Sequence, residues 1–307
     1  MRYFVKIVEA GSFSRAAATV FVAQPTLSLQ MAELEAELGV TLLQRSARGV
    51  RPTAAGEALY REATQILRHI ERLPDIVRFT GDEVAGAVRL GVSSSLAPVL
   101  AGPFMKACKA ALPKVSLNFM TEDSATLSAR TVAGQLDLAV VLEAEPTPGL
   151  LRHGLFRQRL YLVTRKQAAP APGVVTLRHV AQEPLILPGA PNATRTLIDA
   201  GFAAAGVAPN VVAEANLMWG LLSAVHSGVA ATILPLGDFS AAPGHEGFAA
   251  TPVEPPLYQT AYIVFSQAGG LPRAAEVVRR LFESFIDELL GAGPPAGMER
   301  IAPGGEP

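Results

Sequence analysis

A single cysteine, Cys108, stands among the 307 residues. One thiol excludes an intramolecular disulfide and a cysteine-clustered zinc site. Within the helix-like stretch PFMKACKAAL it reads as a small core residue. Charge is sparse too: 26 Lys and Arg against 27 Asp and Glu give a net charge of −1. The chain is therefore not coated in basic surface for nucleic acid, although a small basic module can hide inside that average. No uninterrupted apolar run approaches the roughly 18 residues that span a bilayer. Arg2, Lys6, Glu9 and Arg15 break any signal-peptide core near the start. The histidines, 69, 153, 179, 226 and 245, are scattered without metal-ligand spacing. Gly-x-Ser-x-Gly, Gly-x-Gly-x-x-Gly and the P-loop are all missing, so no recognised catalytic set is visible. These absences describe a soluble, cytoplasmic chain in a reducing compartment, with no catalytic residues, metal, cofactor or membrane partner expected.

What is present is apolar. Half of the residues are hydrophobic and 6% aromatic, enough for sizeable cores, and the length suggests two or three domains. Residues 1–57 read as three helices and a hairpin. Phe4, Ile7 and Val8 share one face of the first; Ala16, Ala17 and Val20 form the inner side of the second, with Ser12 or Ser14 as its N-cap. The third, within VAQPTLSLQMAELEAELGV (22–40), repeats Leu27, Met31, Leu34 and Leu38 as a buried stripe. Its opposite face holds Pro25, Leu29, Ala32 and Ala36, where a solvated helix would be polar. Gly39 supplies a stop, and TLLQRSARGVRPT then reads as a short hairpin carrying Arg45, Arg48 and Arg51 around Gly49. Three helices and a basic hairpin make a winged helix-turn-helix pattern. In such a motif the outer face of the third helix meets base edges and thymine methyls in the major groove. The module is only weakly basic, six Lys and Arg against five Asp and Glu.

Residues 58–86 read as a linker helix and hinge. Thr53 follows Pro52 as its N-cap, Ile66, Ile70, Leu73 and Val77 form one apolar seam that calls for a partner helix, and Pro74 should kink or end it near Leu73. From 87 to 290 short apolar strands alternate with helices, the signature of a parallel sheet with crossovers, in two rough halves. The Gly/Pro-rich end, 291–307, reads as a disordered tail.

Residues 2–56 resemble the LysR-type transcriptional regulators. The matching features are the aromatic first helix RYFVKIV, the turn GSF, the Ala-Ala pair, QPTLS, LE with ELG, and the RG wing before TAAG. Further on, GAVRLGV, GQLDLAVV, DAGFAAAGVAPNVVAEA and SGVAATILP resemble the family's effector domain, which is similar to two-lobed periplasmic binding proteins. YFVKIVEAGSF and VAQP look most like the nitrogen assimilation control subgroup. The resemblance implies an N-terminal α domain on an α/β regulatory domain, a homodimer through the linker helix, a homotetramer on double-stranded promoter DNA, and a small-molecule effector between the lobes. Gln24, Pro25, Thr26, Ser28 and Gln30 match the DNA end of the recognition helix, Arg48 the wing, Thr53 a linker cap able to touch phosphate, and Ser14 and Arg15 positions on the DNA backbone. Leu29 departs from the pattern, standing where the family often has Arg, Gln or Lys; it suits a thymine methyl, not a guanine. A core leucine usual before the Arg-Tyr-Phe segment is also absent, which leads to the expectation that the natural protein begins upstream of Met1.

For the effector, Ser93, Ser94 and Ser95 lie between a strand and a helix, and Ser124 with Thr126 and Asn192 with Thr194 open two other helices. Such residues cap helices or, with backbone N–H groups, bind anions; facing one another across a cleft they suit a small anionic effector. Met218, with Trp219 beside it, opens a further helix, for packing or for cleft lining. Two other classes fit the α/β half alone: a solute-binding protein, and an enzyme on the same fold. The enzyme needs titratable groups across the cleft, where this chain shows mostly hydroxyls.

Overall fold

The computed structural model describes residues 1–46, 49–78, 84–142, 145–166, 173–216, 218–236, 245–268, 270–295 and 297–301, with backbone alone at 68, 69, 71, 72, 74–78, 218 and 245. It divides into two compact units, Met1–Glu83 with Val132–Gln135, and Val84–Thr131 with Leu136–Pro307.

In the first unit, α1 (Arg2–Ala10), α2 (Phe13–Val20) and α3 (Gln24–Leu38) precede an antiparallel hairpin of β1 (Leu43–Ser46) and β2 (Gly49–Pro52) and the long α4 (Ala54–Arg78). Phe4, Ile7, Phe13, Ala16, Leu27, Met31, Leu42 and Ala63 form its core. Gly39 ends α3 in the left-handed conformation, φ 66°, where a Cβ costs energy. Glu35 then turns inward: its Oε1 accepts the N–H groups of Leu42 at 2.7 Å and Leu43 at 3.0 Å, fixing the wing to the helix. The start of α4 lies so close to that connection that a Cβ at Gly56 would sit 2.1 Å from the Leu42 carbonyl oxygen.

Two expectations about these helices need correction. Leu38 does not join the buried stripe; it is 47% exposed. Fifteen-residue α3 outruns nine-residue α1 and eight-residue α2, which leaves Leu38, at its very end, beyond their cover. Of the two outcomes expected at Pro74, a kink or an end, the end does not occur: α4 continues to Arg78. Proline removes one helical hydrogen bond, but a helix tolerates this where water can take the freed carbonyl. Ile66, Ile70 and Leu73 of the seam are exposed in the single chain.

The second unit starts with β3 (Gly86–Ser93), α5 (Ala97–Ala111), β4 (Val115–Glu122), α6 (Ser124–Val132) and β5 (Leu138–Leu142). β3 pairs in parallel with both β4 and β5, the crossover sheet that the sequence suggests. β6 (Leu150–Arg165) is the longest strand, and it joins two lobes. Next come β7 (Val175–Thr176), α7 (Leu177–Val180), β8 (Leu185–Leu187), α8 (Ala193–Ala204), β9 (Val211–Glu214), α9 (Met218–Ser227), β10 (Thr232–Pro235), a 3-10 turn (His245–Gly247) and β11 (Phe248–Glu254). Finally β12 (Tyr258–Ser266) returns along the first half of β6, and α10 (Arg273–Gly291) covers the first sheet. β12 pairs with β6 from Leu150 to Arg159, whereas β10 and β11 pair with it from Leu160 to Arg165. Each lobe has its own core, one around Phe104, Phe156 and Phe282, the other around Leu160, Ile198 and Phe202. Cys108 is buried in the first, and burial pushes its thiol pKa up.

The expected disordered tail is corrected for residues 297–301. Met298–Glu299 form a strand, β13, paired with Gln158 and Arg157 of β6. Met298 is buried in the first core, and Glu299 takes hydrogen bonds from Arg157 at 2.8 and 3.0 Å and from the Tyr258 hydroxyl at 3.1 Å. Backbone pairing, a buried methionine and the ion pairs Arg157–Glu299 and Arg300–Asp287 order this glycine- and proline-rich segment. Residues 302–307 lie outside the described residues.

Candidate nucleic-acid interface and ligand cleft

The first half of α3 presents a continuous outer face. Gln24, Pro25, Thr26, Leu29 and Gln30 are exposed and Ser28 is half-buried, while Leu27 and Met31 point inward. Leu29 is 60% exposed, an uncompensated apolar surface in the middle of the face. Gln24 Nε2 donates to Ser28 Oγ at 3.0 Å, and Gln30 Nε2 donates to Glu33 Oε2 at 2.8 Å, which hold both amides along the helix.

Neither α2 nor α3 begins with a side-chain cap: Ser12 and Ala23 occupy the cap positions, and no side-chain oxygen takes a first-turn N–H there. Uncapped helix starts carry unsatisfied donors and a partial positive charge, both suited to phosphate. Ser14 is exposed in the first turn of α2. Arg15 donates through Nε at 2.9 Å and Nη2 at 2.7 Å to the Ala10 carbonyl, which fixes the guanidinium beside that helix start. Arg45 is spent differently, stacked 4.2 Å over the ring of buried Phe13.

Arg48 lies outside the described residues. The Thr53 hydroxyl donates to the Thr41 carbonyl at 2.7 Å and accepts from Gly56 N at 3.0 Å. Its proton is bonded inside the domain, and Thr53 caps α4 as expected. Phe21 was missed by sequence reasoning. It is 94% exposed and left-handed, φ 57°, at the turn between α2 and α3, an uncommon conformation for a bulky residue; no composition or periodicity signal reports it.

The second unit encloses a cavity of about 550 Å³ between its lobes. Ser93, Ser94, Ser95 and Ser124 line it from the first lobe, and Asn192, Thr194 and Thr196 from the second. Of the predicted hydroxyls, all but that of Thr126 line this one cavity from its two lobes. Ser93 Oγ lies 3.2 Å from Ser95 Oγ and accepts from Ser124 Oγ at 3.4 Å; Ser124 Oγ also accepts from Leu142 N at 3.0 Å. Across the cleft, Asn192 caps α8 by accepting from Arg195 N at 3.1 Å, and buried Thr194 donates to Gln259 Oε1 at 2.9 Å. Trp219, 61% exposed, forms part of the wall with Leu221, Leu222 and Leu234; it lines the cleft instead of filling a core. The side chain of Met218 lies outside the described residues.

Thr126 is a correction. It is not part of the lining, because its hydroxyl donates to Asp123 Oδ2 at 2.6 Å and its N–H to Asp123 Oδ1 at 2.8 Å. Asp123 itself lines the cavity, one residue before the expected start of the helix, and was missed. Its capping role was the available signal: an acid directly before a Ser-Ala-Thr helix start. Burial works against its charge, but the hydroxyl and N–H of Thr126, with the backbone N–H groups of Asp123 and Ala125, hold the carboxyl below its ordinary range.

The sequence profile of the bacterial regulatory helix-turn-helix proteins of the lysR family matches residues 1–57, and that of the LysR substrate binding domain matches residues 81–286. The chain belongs to the LysR family. It is a DNA-binding transcriptional regulator with an effector-binding domain and is not an enzyme. This LysR-family chain is similar to the nitrogen assimilation regulatory protein nac of Klebsiella aerogenes, 32% identical over 93% of this chain and 94% of that one. It is also similar to nac of Escherichia coli, 35% identical over 76% and 77%. Among solved structures, a full-length OxyR variant from Pseudomonas aeruginosa aligns with a TM-score of 0.68 at 20% identity, covering 93% of this chain and 95% of that one. CbnR in complex with its target DNA aligns at 0.58 and 21% identity, over 92% and 97%. At such identities the likeness is one of fold. Among the described residues no helix is long and apolar enough to cross a membrane.

Proposed function

We propose that this regulator reads promoter DNA with the Gln24–Gln30 face of α3, holds the phosphate backbone with Ser14, Arg15 and the first-turn N–H groups of α2, and answers to a small molecule bound between its lobes. The observation that carries the reading is the exposed face of α3 with Leu29 at its centre, next to helix starts that no side chain caps. Gln24 and Gln30 supply donor–acceptor pairs for base edges, and Leu29 supplies an apolar contact for a thymine methyl. A module this weakly basic binds DNA feebly alone, since affinity grows with the number of phosphates neutralised. Pairing through the exposed α4 seam, and then pairing of dimers into a tetramer, supplies the missing contacts. Similarity to nac supports a nitrogen-responsive role in the cytoplasm.

DNase footprinting of the purified protein upstream of its own gene, at low and at physiological salt, tests this. A long, phased footprint that survives physiological salt is expected. A footprint insensitive to Gln24→Ala and Leu29→Ala together overturns the assignment of the reading face.

A further inference from the structure

The charge around the cleft is opposite to what the hydroxyl pattern suggests. Among the described lining residues the charged side chains are two carboxylates, Asp123 and Glu145, with no Lys, Arg or His beside them. Arg195, on α8 near the second-lobe rim, is turned away into bonds with Asp199, Glu214 and the Pro188 carbonyl. Asp123 is half-buried, and its two oxygens are anchored by Thr126, so its position is fixed before any ligand arrives. The same lining holds an apolar set, Trp219, Leu221, Leu222 and Leu234, with Pro98, Pro188 and Pro191.

We propose that the cleft of this regulator binds a small organic ammonium, its protonated amine at Asp123 and its apolar body against Trp219 and the leucines. The inference rests on the reading of the cleft as the effector site. A carboxylate held rigidly beside an apolar wall is a strong partner for an ammonium, because a charge-assisted hydrogen bond needs no reorganisation there. It repels a carboxylate or phosphate ligand at the same place, where water cannot fully screen the pair. The dipole of α6 and the Thr126 bonds stabilise the Asp123 charge without cancelling it, and Glu145 adds a second negative charge at the exposed mouth. The serine hydroxyls remain for a polar substituent of the ligand: that of Ser93 lies 3.2 Å from that of Ser95 and 3.4 Å from that of Ser124, and hydroxyls both donate and accept.

Three probes with one body and different head groups separate charge from shape: 4-phenylbutylammonium, 4-phenylbutanoate and 4-phenylbutanol. Calorimetric titration of the full chain is expected to rank the ammonium at least tenfold tighter than the alcohol, with no binding of the carboxylate. Asp123→Asn keeps an acceptor for Thr126, so the helix cap survives, and is expected to weaken the ammonium at least tenfold while leaving the alcohol unchanged. Exposed Glu145→Gln gives a smaller loss of the same sign and is no risk to folding. Carboxylate binding equal to or tighter than ammonium, or ammonium binding indifferent to both substitutions, overturns the proposal. So does a failure of all three probes to bind. Footprinting in parallel keeps the two readings apart: an intact footprint with no probe binding sinks the ammonium alone, and the expected probe ranking with no footprint sinks the DNA-reading face alone.

Discussion

The outer face proposed to read DNA and the cleft are built on different plans. Residues of one helix between Gln24 and Gln30, with Leu27 turned inward, make the first. The second draws on loops from Ser93 to Leu234, and its polar groups meet only because β6 carries the chain from one lobe to the other. A surface made by one helix inherits the helix period, so it can be read from spacing. A cavity assembled from distant loops cannot, because nothing local says which side of each loop turns inward. The consequence is visible in the errors: on α3 each exposed position falls where the period puts it until the last turn, while at the cleft Thr126 and Asp123 exchange roles.

The strongest way to break the comparison is to unfold one side of it. Gly56→Val places a side chain where even a Cβ would be 2.1 Å from the Leu42 carbonyl oxygen, and backbone cannot yield as a side chain would. A loss of more than about 3 kcal/mol in the first unit is expected. Thermal unfolding followed by circular dichroism should lose an early transition while ligand titration at the cleft is unchanged; loss of both together would show that the units do not fold apart.

Next in size is Gln24→Ala. Removing one bidentate base contact costs about 1–3 kcal/mol, so operator affinity is expected to fall about five- to 150-fold by fluorescence anisotropy, with calorimetric ligand affinity unmoved. An equal fall on unrelated DNA would make Gln24 a phosphate contact and not a reader.

A smaller effect isolates the second unit through pH. Arg279 donates to both oxygens of Glu276, at 2.8 and 3.0 Å, and Arg280 adds a bond at 2.8 Å. Against the cost of burial, these lower the Glu276 pKa from 4.5 to about 2. A lowered folded-state pKa gives stability that is whole above about 4.5 and drains away as pH falls towards 2. Urea midpoints of the wild-type chain and Glu276→Gln should therefore differ at pH 6 and converge near pH 2; a constant gap would assign the effect to packing.

The least effect is expected at Phe21. Asn tolerates its left-handed conformation better than Phe, so Phe21→Asn should raise the stability of the first unit by about 0.5–1 kcal/mol, as read from its urea midpoint. A fall instead would mean that the exposed ring packs on something in solution.

Much of the molecule was legible before folding. Gly11 and Gly39, both left-handed, punctuate the helices where the sequence puts them, and β3, β4 and β5 pair in parallel as alternating strands and helices imply. The misses have physical causes. Leu38 keeps the period of a buried stripe, but its burial depends on the length of neighbouring helices. Pro74 breaks helices on average, yet one lost bond does not stop a helix whose other bonds remain. Glycine and proline made the end of the chain look disordered, and the contacts of Met298 and Glu299 outweigh that local tendency. Trp219 sits in an apolar helix that reads as core, and only the opening between the lobes leaves its ring exposed.

By itself the sequence determined the winged helix module, the outward face of α3, the α/β alternation and the hydroxyl-bearing helix starts. Each depends on contacts within a few residues or on a repeating period. Only the tertiary structure decided that Asp123 faces the cavity and Thr126 does not, that Arg195 is turned away, that Thr53 bonds inward, and that the C-terminal segment lies along β6. Those outcomes depend on partners dozens of residues away, where local preference has no say and packing, charge pairing and the satisfaction of buried polar groups choose the side.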